Sequence, residues 1–229
     1  MAYSFCVGLC EDYRWLKKEC VMVKNYEANN LLQPSSENDP FTEERYRQFY
    51  RFFPKGAVKV LDIGCNTGRG GKVLKQLNPD LRITGLDVVK DRLDRLPKDT
   101  YEQGLHVYST KIPNEDNVYD VVVAGEFIEH IYQADVEKTL GEIFRVLKVG
   151  GRLFLTTPNP SDIKRKWRGK SILGGPHVSQ HFDDTLAFRL RMSGFSRIRI
   201  KGSGKVTRYL GAKFPLCFYG SYLAMGDKY

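Results

Sequence analysis

The sequence predicts an α/β protein: a mostly parallel sheet with helices on both faces, arranged in three layers. Strand-like and helix-like segments alternate from residue 57 onward, which is the pattern of right-handed βαβ units. The segment YDVVVAGE, residues 119–126, is a continuous apolar run, as expected of a strand buried on both faces. In DVEKTLGEIFRVL, residues 135–147, apolar side chains recur on one helical face.

The predicted elements follow one another regularly along the chain. Seven strands are predicted at residues 57–64, 82–88, 105–110, 119–126, 151–158, 196–202 and 221–226. Five helices are predicted at residues 41–53, 70–77, 90–96, 135–147 and 183–193. Thr42 is a candidate cap for the first helix, and Asp183 or Asp184 for the last. Gly150 and Gly151 are expected to end the fourth helix.

Residues 1–40 differ in character from the rest of the chain. They end in NNLLQPSSENDP, a cluster of residues that favour turns and interrupt helices and strands. We therefore predict an N-terminal extension or lid at residues 1–40 and one domain at residues 41–229. A chain of 229 residues is long enough for one large domain.

Composition limits the class of protein. No apolar run approaches the ~20 residues that a helix needs to span a bilayer, and the first residues do not resemble a signal peptide. The five cysteines form an odd set without zinc-ligand spacing, so a reducing compartment, the cytoplasm, is predicted. The net charge of +9 favours anionic partners, which include nucleic acids, membrane surfaces and phosphorylated sugars. The oligomeric state is not indicated.

The stretch LDIGCNTGRGG, residues 61–71, places four glycines directly after the first strand. It does not match the phosphate-binding pattern G-x-x-x-x-G-K-[ST], because Val73 follows Lys72. It does not match the dinucleotide pattern G-x-G-x-x-G either, because Asn66 stands at the second glycine position. The stretch therefore indicates a ligand other than a pyrophosphate.

An acidic residue, Asp62, precedes the first glycine by two positions. A carboxylate there can hold an ammonium group, directly or through water, and can also brace the loop. Gly64 and Gly68 allow a close approach of the backbone to a ligand. Asp87 ends the second strand, where a carboxylate accepts hydrogen bonds from both ribose hydroxyls. These positions favour a phosphate-free nucleoside that carries an amino-acid group.

Four segments in this order, VLDIGCNTG, GLDVV, YDVVVAGEFIEHI and VLKVGGRLFLTTPNP, resemble the motifs of class I S-adenosylmethionine-dependent methyltransferases. The likeness covers about residues 42–200 and is closest to the type 11 group, which carries a Glu-His pair after the fourth strand. It implies a Rossmann-like, seven-stranded sheet and binding of S-adenosylmethionine, with S-adenosylhomocysteine as the product. The implied cofactor residues are Asp62, Gly64, Cys65, Asn66, Gly68, Asp87, Val88, Ser109, Thr110, Glu126 and Phe127. Ser109 and Thr110 depart from the family, which often has an acidic residue there.

Two histidines are candidate catalytic residues. His130 follows the fourth strand, and His177 lies in GGPHVSQHFDD, a loop after the fifth strand. Either could act as a general base for a hydroxyl acceptor or could position that acceptor. His181 is spaced to pair with His177, but no third ligand is evident, so we predict no metal site. His106 is expected to be structural.

The acceptor is predicted to be a sugar, a glycan-linked compound or another small molecule that carries a hydroxyl group. The arrangement TPNP…PHV resembles methyltransferases of bacterial polysaccharide, glycolipid and secondary-metabolite pathways, which favours O-methylation of a sugar or glycan-linked hydroxyl. The segment KRKWRGKS, residues 164–171, could bind phosphates or an anionic membrane surface. Nucleic acid is less favoured because the D/N/S-P-P-Y/F motif of amino-methylating DNA enzymes is missing. RNA methylation and a non-catalytic cofactor-binding module remain the alternatives.

Overall fold

A computed structural model describes residues 25–32, 39, 41–204 and 214–229. The strands are β1 Lys59–Ile63, β2 Arg82–Asp87, β3 Tyr101–His106, β4 Tyr119–Gly125, β5 Leu147–Pro158, β6 Ser196–Ser203 and β7 Ser221–Asp227. They form one sheet in the order β3-β2-β1-β4-β5-β7-β6. Strand β7 runs antiparallel to β5 and β6, and the other pairs are parallel. The predicted Rossmann-like, mostly parallel sheet is confirmed.

The helices cover both faces of this sheet. They are α1 Tyr26–Leu31, α2 Thr42–Tyr50, α3 Arg69–Leu77, α4 Lys90–Leu93, α5 Gln133–Val146, α6 Ile163–Trp167 and α7 Asp183–Met192, with short 3-10 turns at Ile128–His130 and Leu216–Phe218. Helices α5 and α7 contribute to one hydrophobic core cluster and helices α2 and α3 to another. The sheet lies between two cores, which is the predicted three-layer arrangement.

The central strands are buried on both faces because their sequences are nearly all apolar. Val121, Val122 and Val123 of β4 are fully buried, as parallel strands covered by helices require. Ile63 pairs with Ala124 on one side and with Leu86 on the other. This register aligns the carboxyl ends of β1, β2 and β4, so the loops that follow them meet at one edge of the sheet.

Two predicted strands differ in their bounds. Strand β3 comprises Tyr101–His106 rather than residues 105–110. Its Glu102, Gln103 and Gly104 are exposed at the edge of the sheet, so it lacks the apolar pattern that marks an inner strand. Strand β5 begins at Leu147, directly after α5, so the helix ends before Gly150 and Gly151.

The predicted helix caps are wrong by one position. Phe41 and Phe182 occupy the cap positions, and Thr42 and Asp183 are the first helical residues. The Thr42 hydroxyl donates to Asp39 instead, at 2.8 Å. Helix propensity patterns locate a helix well but locate its ends only to within a residue or two.

The N-terminal segment contributes α1 to the structure. Tyr26 packs against the rings of Tyr108 and Tyr132, and its hydroxyl donates to Asp135 at 2.5 Å. Cys6, Cys10 and Cys20 lie outside the described residues. Within the part of the chain that the structure describes, no helix has both the length and the hydrophobicity to cross a bilayer.

Candidate functional site

The loop between β1 and α3 turns sharply at the carboxyl edge of the sheet. Gly64, Asn66 and Gly68 have positive φ angles of 69°, 51° and 87°. Glycine adopts this left-handed region without strain, and asparagine tolerates it better than most residues. The backbone nitrogens of Gly64 and Cys65 donate to Leu86 O at 2.8 and 3.1 Å, which ties the loop to the end of β2.

Asp62 lies behind this loop and is fully buried. Its two oxygens accept hydrogen bonds of 2.6 Å from the hydroxyls of Tyr46 and Tyr101. Burial raises the pKa of Asp62 to about 6, against the lowering effect of the two tyrosine hydrogen bonds. Of the two roles foreseen for this carboxylate, the geometry favours bracing the loop.

The rings of Tyr46 and Tyr101 also explain why two of the four positions in this stretch must be glycine. A Cβ atom at Gly70 would lie 2.1–2.5 Å from the Tyr46 ring, and one at Gly71 would lie 2.4 Å from the Tyr101 ring. No side chain fits at such distances. Gly70 and Gly71 are therefore required by tyrosine packing, whereas Gly64 and Gly68 are required by backbone conformation.

Asp87 holds the start of the next loop. Its Oδ2 accepts from Asn66 N at 3.0 Å and its Oδ1 accepts from Val89 N at 2.9 Å. Burial raises the pKa of this carboxyl group, and the neighbouring Arg92 opposes the effect. Each carboxylate oxygen can accept more than one hydrogen bond, so both retain capacity for a ligand's hydroxyl groups.

A narrow cavity of about 30 Å³ opens beside Asp87. Its lining includes Gly64, Asp87, Val88, Ser109, Thr110, Phe127 and His130, together with Tyr26 and Asn30 of α1. The Ser109 hydroxyl lies 3.1 Å from that of Thr139. The predicted ribose and adenine positions thus meet in one cavity, and α1 covers it.

A broad cavity of about 630 Å³ lies on the other side of Gly64. Its lining includes Gly64, Cys65, Asn66, Gly70, Glu126, His130 and His177, with Arg45, Lys164 and Arg165 as cationic groups. Gly64 and His130 line both cavities. An elongated ligand that crosses Gly64 would reach from the narrow cavity into the broad one.

The structure brings His130 and His177 together. Their ring centroids are 4.8 Å apart, in an edge-on arrangement. Burial, with the neighbouring His177, lowers the pKa of His130 to about 4, so its ring is neutral at pH 7. His181 does not join this pair, because its Nε2 lies 2.9 Å from the Ser179 hydroxyl and 3.3 Å from Ile128 O.

Sequence reasoning assigned no role to Glu129, the residue before His130. It is fully buried, and the Thr157 hydroxyl and its own backbone N–H are the hydrogen-bonding groups beside its carboxyl group. Burial raises its pKa well above the ordinary value, and the charge of Glu126 adds to this effect. The Glu-His pair was noted in the sequence, but only folding shows that a second histidine faces it.

Cys65 contributes to the site through its backbone. Its side chain is buried in the core beneath the loop, where the sulfur faces Gly85 of β2. Phe127 packs against Gly64, since a Cβ there would lie 3.1 Å from the phenyl ring. Glu126 has a φ angle of +50°, and its nitrogen donates to the Thr156 hydroxyl at 2.9 Å.

The basic segment lies at the rim of the broad cavity. It forms α6, Ile163–Trp167, and the turn after it. Lys164 and Arg165 line the cavity, whereas Trp167 is 87% exposed. The cluster can therefore present positive charge to a ligand bound in that cavity.

Part of the chain is similar to known methyltransferases. Residues 61–155, which include the loop after β1 and the turn after β4, match the family model of a methyltransferase domain. The ubiquinone/menaquinone biosynthesis C-methyltransferase of Desulfotalea psychrophila is 30% identical over 128 residues, 53% of this chain and 51% of that protein. The demethylmenaquinone methyltransferase of Symbiobacterium thermophilum is 28% identical over 139 residues, 57% of this chain and 53% of its own. The chain thus spans about half the length of these curated relatives.

Solved structures share most of this fold. A methyltransferase from Archaeoglobus fulgidus, described as dependent on S-adenosylmethionine, superposes with a TM-score of 0.65 and 20% identity. That match covers 88% of this chain and 98% of the other. A phosphoethanolamine N-methyltransferase from Haemonchus contortus, solved in complex with S-adenosylmethionine, superposes with a TM-score of 0.61 and 16% identity. That match covers 81% of this chain and 52% of the other chain.

Proposed function

We propose that this chain, whose residues 61–155 match the methyltransferase-domain model, uses S-adenosylmethionine to methylate a hydroxyl group of a sugar, a glycan-linked compound or another small molecule. The observation that carries this proposal is the meeting of two cavities at Gly64 and His130. One cavity has the groups that a nucleoside needs, and the other is large enough for an acceptor. A cytoplasmic location belongs to the same proposal, since Cys65 and Cys217 are free thiols.

The residues of the narrow cavity fit the nucleoside half of S-adenosylmethionine. Asp87 offers two carboxylate oxygens to the ribose hydroxyls, and Val88 lies beside the adenine position. Ser109 and Thr110 supply polar atoms at the far end. Tyr26 and Asn30 of α1 form the wall of this cavity opposite the sheet edge.

The loop after β1 fits the methionine half. Gly64, Cys65 and Asn66 line the broad cavity, and Gly64 has no side chain that would cover its backbone there. Asp62 braces the loop through Tyr46 and Tyr101. When bound, S-adenosylmethionine supplies a methyl group that is already activated by the sulfonium.

The chain's own contribution is to align the acceptor with that methyl group. The acceptor oxygen bonds to the methyl carbon while the carbon–sulfur bond breaks and its electron pair stays on sulfur. The hydroxyl proton leaves the acceptor in the same reaction. His130 and His177 line the broad cavity, where either ring can orient the hydroxyl. Lys164 and Arg165 favour an acceptor that carries negative charge.

The relatives do not decide the acceptor atom, since their names include C-, O- and N-methyltransferases. The choice of a hydroxyl rests on the two histidines, which can hydrogen-bond an O–H group. The two alternatives to a small hydroxyl acceptor are an RNA acceptor and a cofactor-binding module without transferase activity. An RNA acceptor is favoured by the basic segment with exposed Trp167, and a binding module would bind the cofactor without transferring a methyl group.

The first test is isothermal titration with S-adenosylhomocysteine, and failure to bind would remove the proposal. The second test incubates the protein with methyl-labelled S-adenosylmethionine and either crude polysaccharide or total RNA. Label in the polysaccharide supports the proposal, label in RNA supports the first alternative, and no label in any acceptor supports the binding module. His130→Ala and His177→Ala are expected to lower turnover while affinity for S-adenosylhomocysteine holds.

A further inference from the structure

Three potential metal ligands converge beside the broad cavity, which two of them, His130 and His177, line. Glu129, His130 and His177 each offer one ligand atom, and these atoms lie within 4.8 Å of one another. Glu129 and His130 belong to the 3-10 turn after β4, whereas His177 comes from a loop 47 positions further along the chain. Spacing along the chain relates His177 only to His181, so the sequence does not indicate that His177 lies beside Glu129 and His130.

Backbone hydrogen bonds hold the two segments in place. Glu129 O accepts from Val178 N at 2.9 Å and from Ser179 N at 3.0 Å. The Ser179 hydroxyl also donates to Ile128 O at 3.1 Å. These three bonds fasten the loop that carries His177 to the turn that carries Glu129. The cluster is therefore built by the fold rather than by contact between mobile side chains.

Both histidines are held in the tautomer that metal ligands use. His130 Nδ1 lies 3.0 Å from Pro176 O, and His177 Nδ1 lies 3.1 Å from Ile172 O. A carbonyl oxygen only accepts, so Nδ1 carries the hydrogen in each ring and Nε2 carries the lone pair. Histidines that bind metals almost always donate their other N–H to a carbonyl or a carboxylate in this way.

Glu129 contributes the carboxyl group of the cluster. It is fully buried, and the Thr157 hydroxyl and its own backbone N–H are the hydrogen-bonding groups beside it. Burial makes the charged form of this group costly in free energy unless a cation lies beside it. Its Oε1 lies 3.8 Å from His130 Nε2, too far for a hydrogen bond. This separation is close to the roughly 3.4 Å between two ligands on a tetrahedral metal with bonds near 2.1 Å.

We propose that Glu129, His130 and His177 bind a divalent transition-metal ion that leaves a position open towards the broad cavity. Two imidazoles and one carboxylate suit Zn²⁺, Mn²⁺ or Co²⁺ better than Ca²⁺ or Mg²⁺. The ion's task rests on the proposed function: it binds the acceptor's hydroxyl oxygen and lowers the pKa of that hydroxyl. The proton passes to water, and the oxygen then bonds to the methyl carbon as the carbon–sulfur bond breaks.

Metal binding is tested without any methyl transfer. Protein treated with a chelator and desalted is titrated with Zn²⁺ by calorimetry, and with Co²⁺ by visible absorption, which reports the coordination geometry. The wild type is expected to bind one ion with a Co²⁺ spectrum of low coordination number. Glu129→Gln and His177→Ala should each reduce affinity more than about 100-fold. His106→Ala, which removes an exposed histidine outside the cluster, should bind as the wild type does.

Folding of the variants is checked separately. Glu129→Gln replaces the buried carboxyl group with an uncharged amide of nearly the same shape, so its resistance to urea without metal should match or exceed that of the wild type. Added Zn²⁺ should then stabilise the wild type and leave Glu129→Gln unchanged. Equal Zn²⁺ affinity and stoichiometry in the wild type and both cluster variants would overturn the proposal, because the ion would then bind elsewhere.

The two proposals fail in different ways. Protein that binds S-adenosylhomocysteine but no metal contradicts the metal site and leaves the proposed function standing. Protein that binds metal through the cluster but does not bind S-adenosylhomocysteine supports the site and contradicts the proposed function. If both stand, chelation should abolish methyl transfer, and Zn²⁺ or Mn²⁺ should restore it in the wild type but not in His177→Ala.

Discussion

The hydroxyl of Tyr101 donates a 2.6 Å hydrogen bond to Asp62 Oδ2 and accepts one of 3.0 Å from Gly71 N. One atom therefore connects the end of β1 with the first turn of α3. Tyr46 bonds the other oxygen of Asp62 from α2, so three elements meet at one carboxylate. The loop after β1 lies directly above these hydrogen bonds. We propose that this loop holds the methionine half of the cofactor.

Loss of the Tyr101 hydroxyl should weaken the fold. Tyr101→Phe keeps the ring but removes the hydroxyl that bonds Asp62 Oδ2 and Gly71 N, which should lower the free energy of unfolding by about 1–3 kcal/mol. Urea denaturation measures the change. Tyr50→Phe, which removes the hydroxyl of a partly buried ring tilted against Phe53, is the control and should stay within about 0.5 kcal/mol. An equal change in unfolding free energy for both substitutions would show that the hydrogen bonds of the Tyr101 hydroxyl contribute nothing to stability.

Asp62 should make stability depend on pH. Its pKa is about 6 when folded and 3.8 ordinarily, so between these values the folded protein binds more protons than the unfolded chain. The contribution of Asp62 to stability therefore falls as pH rises from about 4 to 6 and is constant above that range. Burial is the main cause, with Tyr101 and Tyr46 opposing it and the charge of Asp87 adding to it.

The comparison variant is Asp62→Asn, which stays neutral at every pH. As the pH rises from about 4 to 6, the free energy of unfolding of the wild type should fall by up to about 3 kcal/mol relative to that of the variant. Urea denaturation at pH 4, 5, 6 and 7 follows the shift. A difference that is flat with pH, or that grows in favour of the wild type, contradicts the raised pKa.

Gly70 and Gly141 both lie in helices and should respond to alanine with opposite signs. A Cβ at Gly70 would clash with the Tyr46 ring, so Gly70→Ala should cost about 1–3 kcal/mol. Gly141 on α5 has no atom within 4 Å of an added Cβ, so Gly141→Ala should stabilise by about 0.5–1 kcal/mol. Thermal or urea denaturation compares the two. Tolerance of Gly70→Ala would mean that Tyr46 can move without loss.

Asp87 should matter for cofactor affinity. Asp87→Asn keeps the size of the side chain but removes the charge and one acceptor, so affinity for S-adenosylhomocysteine should fall more than about 10-fold. Isothermal titration measures it. Asp94→Asn, which breaks the exposed pair with Lys90, is the control and should bind normally. Unchanged affinity in Asp87→Asn would exclude this carboxylate from the ribose position.

Tyr26 should control cofactor exchange. Its ring packs on Tyr108 and Tyr132 and lines the narrow cavity, so Tyr26→Ala should speed both binding and release of S-adenosylhomocysteine several-fold. Stopped-flow fluorescence measures the two rates. Leu31→Ala changes an exposed side chain of the same helix and should leave both rates alone. Identical rates in wild type and Tyr26→Ala would mean that α1 does not cover the entrance.

The fold was predictable because local patterns agree with one another along the chain. Apolar runs marked the inner strands, and helical spacing marked α5, with Val136, Leu140 and Ile143 fully buried as expected. Strand β3 was misplaced because an edge strand exposes its side chains and loses the apolar pattern. The positive φ angles of Gly64 and Gly68 were also foreseeable, since residue type limits the backbone locally.

By itself the sequence determined the order of strands and helices, the conformation of the loop after β1 and the presence of Asp62 and Asp87 at the ends of two strands. Only the tertiary structure decided that tyrosines hold Asp62, that α1 covers the narrow cavity and that His177 rather than His181 faces His130 and Glu129. The physical reason is distance along the chain. Periodicity and turn propensity act over neighbouring residues, whereas these contacts join segments whose approach depends on the packing of the whole sheet.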